Sequence, residues 1–458
     1  MVTDVEGHTP SRADGPTDAS ELRRVIGRTD LVFLVVGSVI GSGIFLVPGG
    51  VLTQVGGYMG PALLVWLVGG ILALLGALTY GELACLNPGT GGLYLYIRDA
   101  FGRFPAFLYG WTLFVAIAAG AMATLAVATG TYMGQFLPVG PAGEKGVALL
   151  VLASLVWLNV RGTRISVKFL DVATALKVGA LALLIIALPL AGGRVSGPWW
   201  PPAWDLSLLQ GAGLAMVSVL WAYEGWQFST YVAGEVVDAQ RNFPAGLAIG
   251  TVILVLIYVL ANLAYLAALG PDGVMGSTRV ASEAVEATFG GRLANGLAVV
   301  IIIAMVSAAH SIILTSSRVY FAMARDGVFF ARLAEVHPRY GTPAFSIMAG
   351  GAIAAVLCLL GTFQQLLSYV VFVGWIFYGL GGASVFVFRR RAPDTPRPFR
   401  VPGYPVTPVV FVASAVVIVV NAILNQPTRQ TVFALGAIAL AVPIYFFWRR
   451  RPSAASSQ

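Results

Sequence analysis

Charge is scarce in this sequence. Asp, Glu, Lys and Arg make up 10% of its 458 residues, against about 25% in soluble globular proteins. The chain therefore lacks the polar coat that a water-facing surface needs. Cysteine is scarcer still. Cys85 and Cys358 both lie in apolar segments, which excludes a disulfide framework or a cysteine-rich metal cluster and leaves buried, inert thiols. Of the 3 histidines only His310 stands deep in an apolar run, and one histidine cannot make a metal site. It is read as packed and hydrogen-bonded in preference to a proton relay. No HExxH, GxSxG or P-loop pattern occurs. No metal site is expected, and little is left for an intramembrane enzyme to work with.

What is abundant is apolar surface and glycine. Hydrophobic residues reach 58%, with 54 glycines, and the mean hydropathy is +0.83. Small residues let membrane helices approach closely. The net charge of +8 comes from Lys and Arg in short clusters between apolar runs, such as Arg389-Arg390-Arg391 and Arg449-Arg450-Arg451. That is the pattern of loops under the positive-inside rule, not of a nucleic-acid-binding face.

Residues 1–27 are polar and read as a disordered cytoplasmic tail. The first apolar run is too long and too late for a cleaved leader. Twelve apolar stretches follow, at about 29–56, 60–86, 101–136, 147–160, 168–192, 207–234, 244–270, 293–324, 343–361, 364–388, 404–425 and 430–448. A stretch of roughly 20 residues crosses about 30 Å of hydrocarbon, and here the fourth is short and the third and eighth are long. With the N-terminus inside, the outer loops hold Lys145, Arg194, Arg279, Arg292 and Arg429. Lys177 lies within a span, so 22 of the 28 basic residues fall inside. Both termini are thus expected in the cytoplasm, with Trp199, Trp200 and Trp204 at the outer surface.

Two spans are interrupted, five spans apart. The first contains Gly37-Ser38-Val39-Ile40-Gly41-Ser42-Gly43-Ile44-Phe45 and then Pro48-Gly49-Gly50, and the sixth contains Trp221-Ala222-Tyr223-Glu224-Gly225-Trp226. Glycine-interrupted segments in matching places of two halves point to a transporter site. Free N–H groups from Ser42 to Phe45 would suit a carboxylate. Helix packing of the GxxxG type through Gly37 and Gly41 explains the same glycines equally well. Gly41-Ser42-Gly43 is no dinucleotide fingerprint, since no strand precedes it.

Few charges lie at depth. Lys177 is nine residues in from Lys168 among apolar neighbours, too deep to snorkel easily, so it should face a cavity or a partner. Glu224 can neutralise a substrate ammonium, carry a proton, pair with Lys177, or cap the loose N–H groups of the broken helix. Glu82 near the end of the second span reads as a structural anchor, and Asp171 as a solvated interfacial charge.

From Arg28 to about Arg400 the sequence resembles the amino acid–polyamine–organocation superfamily of transporters, and within it the L-type branch with its bacterial serine/threonine exchangers. The matching motifs are Val39-Ile40-Gly41-Ser42-Gly43-Ile44-Phe45, Tyr80-Gly81-Glu82-Leu83, Gly91-Gly92-Leu93-Tyr94-Leu95-Tyr96 with Gly102, and Trp221-Ala222-Tyr223-Glu224-Gly225-Trp226. Gly234-Glu235-Val236, Arg241-Asn242-Phe243-Pro244, Ser317-Arg318 and Ala324-Arg325-Asp326-Gly327 continue the match.

The resemblance implies an all-α membrane protein of twelve transmembrane helices with a LeuT-like 5+5 inverted repeat, alternating access and no cofactor. Its parts would be a first repeat over 28–192, a second over 207–388, two further helices over 404–448 and a cytoplasmic tail over 449–458. Gly41, Ser42, Gly43 and Ile44 would hold the substrate carboxylate. Trp221, Ala222, Tyr223, Glu224 and Gly225 would take the amino group and form the gate, with carbonyls around Trp221, Ala222 and Glu224 accepting from the ammonium. Lys177 would stand in for a sodium ion or carry a proton, touching Ser307 or Ser311.

Two departures bear on partners and specificity. Glu224 stands where many animal relatives have glycine, and the loop at about 136–146 has no cysteine, so no disulfide-linked heavy chain is expected. The expected function is sodium-independent exchange of neutral L-α-amino acids across the plasma membrane, with lipid and small amino acids as partners. Proton-coupled or exchange transport of cationic amino acids or amines, selected by Glu224, is the alternative.

Overall fold

The computed structural model describes residues 24–449 apart from Pro138, Arg194, Gln426 and Pro427. The expected tails over 1–23 and 450–458 lie outside the described residues. Apolar runs in lipid must satisfy their own backbone, and the chain does so with helices throughout. Twelve of them are α1 (Arg28–Leu46), α2 (Met59–Leu86), α3 (Arg103–Met133), α4 (Gly140–Val160), α5 (Lys168–Leu190), α6 (Leu206–Glu235), α7 (Ala239–Gly276), α8 (Gly291–Arg325), α9 (Ala344–Leu360), α10 (Phe363–Arg391), α11 (Val406–Asn425) and α12 (Thr431–Trp448). Among the described residues, eleven are long and apolar enough to cross a bilayer, and α9 is shorter. Only one isolated bridge, Ile26 with Val236, departs from the all-helical pattern in the described residues.

Burial separates a centre from a rim. In their most apolar stretches α3 is 83% buried and α1, α8 and α10 are each 72% buried, against 22% for α4, 28% for α11 and 17% for α12. The rim exposes Leu150, Val172, Leu183 and Ile186, as a lipid-facing surface does. α3 accommodates its length with a π-helical turn over Leu113–Ile117. α7 bends at Gly270, where φ is +66° ahead of Pro271.

Some boundaries differ from the hydropathy reading. The fourth span starts at Gly140, not 147, because its first turns carry Glu144 and Lys145. Their charges are met by neighbours, with Thr131 Oγ1 donating to Glu144 and Lys145 Nζ donating to the Leu359 carbonyl at 2.6 Å. The last residues of the expected tail are also ordered. Val25 and Ile26 N–H donate to the Glu235 carbonyl at 2.9 and 3.0 Å, strapping the start of α1 to the end of α6.

Candidate functional site at two helix breaks

α1 stops being helical at Val39. Ile40 turns out of the helix with φ −71° and ψ 89°, and helix resumes at Gly43–Leu46. A helix end leaves orphan carbonyls, and here other spans take them. Lys177 of α5, fully buried, donates from Nζ to the Gly37 carbonyl at 2.6 Å, the Ile40 carbonyl at 2.8 Å and Ser307 Oγ of α8 at 2.9 Å. Its three donors meet three acceptors, and its charge sits at the negative end of the first half-helix. Tyr258 OH of α7 serves the Val39 carbonyl at 3.2 Å and the Ala222 carbonyl at 3.0 Å. The N–H groups of Gly41, Ser42, Gly43 and Ile44 meet no acceptor among the described residues.

α6 breaks opposite. Its first half, Leu206–Ala222, is capped by Asp205, whose carboxylate accepts the Leu208 N–H at 2.8 Å. That bond, with a second from Ser207, holds the Asp205 carboxyl below its ordinary range. The helix is interrupted at Gly225, with φ +130°, and continues as a tighter 3₁₀ helix over Trp226–Glu235. The Glu224 N–H is bonded to the Trp221 carbonyl at 3.0 Å. Tyr223 and Glu224 carbonyls meet no donor among the described residues.

The two breaks touch through backbone, which explains the glycines. A Cβ on Gly43 would lie 2.4 Å from Ala222 Cα, and one on Gly225 would lie 2.8 Å from the Ser38 carbonyl oxygen. Trp221 closes the contact, its indole N–H donating to Ser42 Oγ at 3.2 Å and its ring standing edge-on to Phe363. Ser42 is 1% exposed, so the breaks are enclosed. Two clefts lie elsewhere. One of about 560 Å³, lined by Arg24, Arg98, Arg325 and Asp326, is at the end bearing the arginine clusters; one of about 420 Å³, beside Gly57 and Met275, is at the other.

Ser307 touches Lys177, whereas Ser311, one turn along α8, pairs with Ser38 Oγ at 2.5 Å. Lys177 and Glu224 are not brought together; the ammonium is on α1 and α8, and the carboxylate is on Gln227 and Tyr378. Of the expected ammonium acceptors, the Trp221 and Ala222 carbonyls already receive Glu224 N–H and Tyr258 OH. His310 is turned toward α4, with Nδ1 2.8 Å from Asn159 Nδ2. Glu82 is tied to Arg389 at 2.7 Å and to the Val401 N–H. Sequence reading missed Tyr258, Gln227 and Tyr378. A tyrosine inside an apolar span looks like core, and only Gln227, three residues past Glu224, stood near a recognised motif. No group of three His, Cys, Asp or Glu able to hold a metal occurs among the described residues.

A sequence profile of the amino acid permease family matches residues 26–444. The chain belongs to the amino acid permease family. It is 32% identical over 94% of its length to a mouse large neutral amino acids transporter small subunit 2, covering 82% of that protein. It is 29% identical over 96% of its length to a human Asc-type amino acid transporter 1, covering 85% of it. It is 28% identical over 95% of its length to the serine/threonine exchanger SteT of Bacillus subtilis (strain 168), covering 99% of it. The permease is a multi-pass membrane protein of the amino acid–polyamine–organocation superfamily, related to the L-type transporters. Its relatives move amino acids and are not enzymes.

Proposed function

We propose that the permease exchanges neutral L-α-amino acids across the plasma membrane by alternating access, without sodium. The carrying observation is the opposed pair of breaks. Four uncommitted N–H groups on α1 face a segment of α6 with uncommitted carbonyls, a donor and an acceptor surface that fit the carboxylate and ammonium of one zwitterion. Lys177 supports sodium independence, since its ammonium already supplies a fixed positive charge to the α1 carbonyls. The two five-helix halves, 28–192 and 207–388, would move against each other about this site. Both termini would lie in the cytoplasm, by the placement of the basic residues.

Some relatives are named as small subunits. Here Cys85 and Cys358 are buried and the stretch 136–146 has no cysteine, so the permease would act without a disulfide-linked heavy chain. One observation favours a second reading, transport of cationic amino acids or a proton-coupled cycle: Glu224 touches no basic side chain among the described residues. Counterflow of purified protein in proteoliposomes, across a panel of amino acids with and without sodium and a pH gradient, tests both. Neutral substrates exchanging equally in every ion condition support exchange. A sodium requirement, or uptake driven by the pH gradient alone, overturns it.

A further inference from the structure

Glu224 is satisfied on one side only. Its Oε1 accepts two hydrogen bonds of 2.5 Å, from Gln227 Nε2 and from Tyr378 OH. The same amide donates to Tyr378 OH at 2.9 Å, and Gln227 Oε1 accepts the Gly225 N–H at 3.2 Å. Every donor of the pair is thereby spent, and the Gly225 bond fixes which way the amide faces. Tyr378 is held in turn, its backbone carbonyl accepting from Tyr80 OH at 2.8 Å and its ring lying edge-on to Trp375.

A carboxylate offers lone pairs on both oxygens. Gln227 and Tyr378 fill Oε1, and Oε2 has no donor among the described residues. Nor is a cation in contact, because the Lys177 ammonium is committed to Gly37, Ile40 and Ser307. Glu224 is 8% exposed, and its unpartnered oxygen is not fully enclosed, so it faces space in which a carboxylate can recognise something. Its place fits that role. Gly225, the next residue, packs on the Ser38 carbonyl and the Val39 N–H of the α1 break.

A hydroxyl fits an oxygen presented in this way. It can donate to an ionised carboxylate and accept from a protonated one, so it pairs in either state. An ammonium is held strongly only by the ionised form, and an alkyl group by neither. We infer that Glu224 reads the side chain of the transported amino acid by hydrogen-bonding a hydroxyl, and that Gln227 and Tyr378 are positioning residues that aim it. The inference rests on the exchange of neutral amino acids proposed above and narrows it to hydroxyl-bearing substrates.

Threonine and valine test it, since they have the same shape and differ by one hydroxyl. Full-length protein in proteoliposomes yields kcat/KM for each as the incoming substrate. The parent should favour threonine by about tenfold or more, because a site built to bond a hydroxyl rejects the analogue lacking it. Tyr378→Phe and Gln227→Leu should each lower that ratio several-fold, and Glu224→Leu should bring it to one or below. Glu224→Gln, which keeps an acceptor oxygen, should retain part of it. Where a variant no longer transports, stabilisation of the purified protein against heat by each amino acid reads the same ratio. A parent ratio near one, a ratio that both positioning variants leave unchanged, or a preference for lysine over threonine overturns the inference. A parent that neither exchanges nor binds any α-amino acid overturns the exchange reading instead.

Discussion

The two helix breaks solve the same problem with opposite chemistry. In α1 the carbonyls of Gly37, Val39 and Ile40 are taken, two of them by a charged ammonium, while four successive amides are left open. In α6 the amides of Tyr223, Glu224 and Gly225 are taken, by neutral partners, while carbonyls are left open. One break therefore presents donors and the other acceptors. Opening a helix costs hydrogen bonds wherever it happens. What differs is which half of the backbone the neighbouring spans repay, and that choice gives the site its polarity.

The largest test of this contrast is Lys177→Ala. It strips a buried cation from three acceptors at once, a loss of the kind that costs about 3–5 kcal/mol when a buried charged pair is broken. The melting temperature in detergent should fall by several degrees and exchange should be abolished; a variant that exchanges like the parent would show that the α1 break needs no fixed charge. Gly225→Ala comes next. Its Cβ would sit 2.8 Å from the Ser38 carbonyl oxygen at a φ of +130°, so α1 and α6 must move apart, costing on the order of 1–3 kcal/mol in strain. Substrate affinity by thermal shift should drop more than stability does.

Tyr258→Phe is the smaller, neutral counterpart of the lysine change. It removes one hydroxyl shared by the two breaks and should cost about 1 kcal/mol, visible as a shift of about 1–2 °C in unfolding. Trp221→Phe should matter least to stability. It keeps an aromatic lid but loses the bond to Ser42, worth about 0.5–1.5 kcal/mol, and should appear as a several-fold faster release of substrate.

Hydropathy alone located all twelve spans, because lipid leaves a backbone no other choice over about 20 residues. It missed the first turns of α4, where Glu144 and Lys145 lower the apolar score although neighbours satisfy both. It also placed Arg24–Gly27 in a tail, since a short polar strap held by backbone bonds to Glu235 leaves no periodic pattern. The glycines at 41, 43 and 225 marked where to look, yet glycine packing and a broken helix write the same letters. The contact of Gly43 with Ala222 shows both at once.

The order of residues along the chain settled which segments are apolar enough to lie in the bilayer, where the two helices break, that a glutamate stands at one break, and that a lysine stands deep in another span. Hydrophobicity and glycine content act locally, so a single span displays them. Tertiary structure alone decided the partners. Lys177 went to α1 and α8 and not to Glu224, Ser311 went to Ser38, and Tyr258 came in from α7 to join both breaks. A buried polar group must find its partner in space, and Lys177 with Gly37, Ser38 with Ser311 and Glu224 with Tyr378 are each more than a hundred residues apart along the chain.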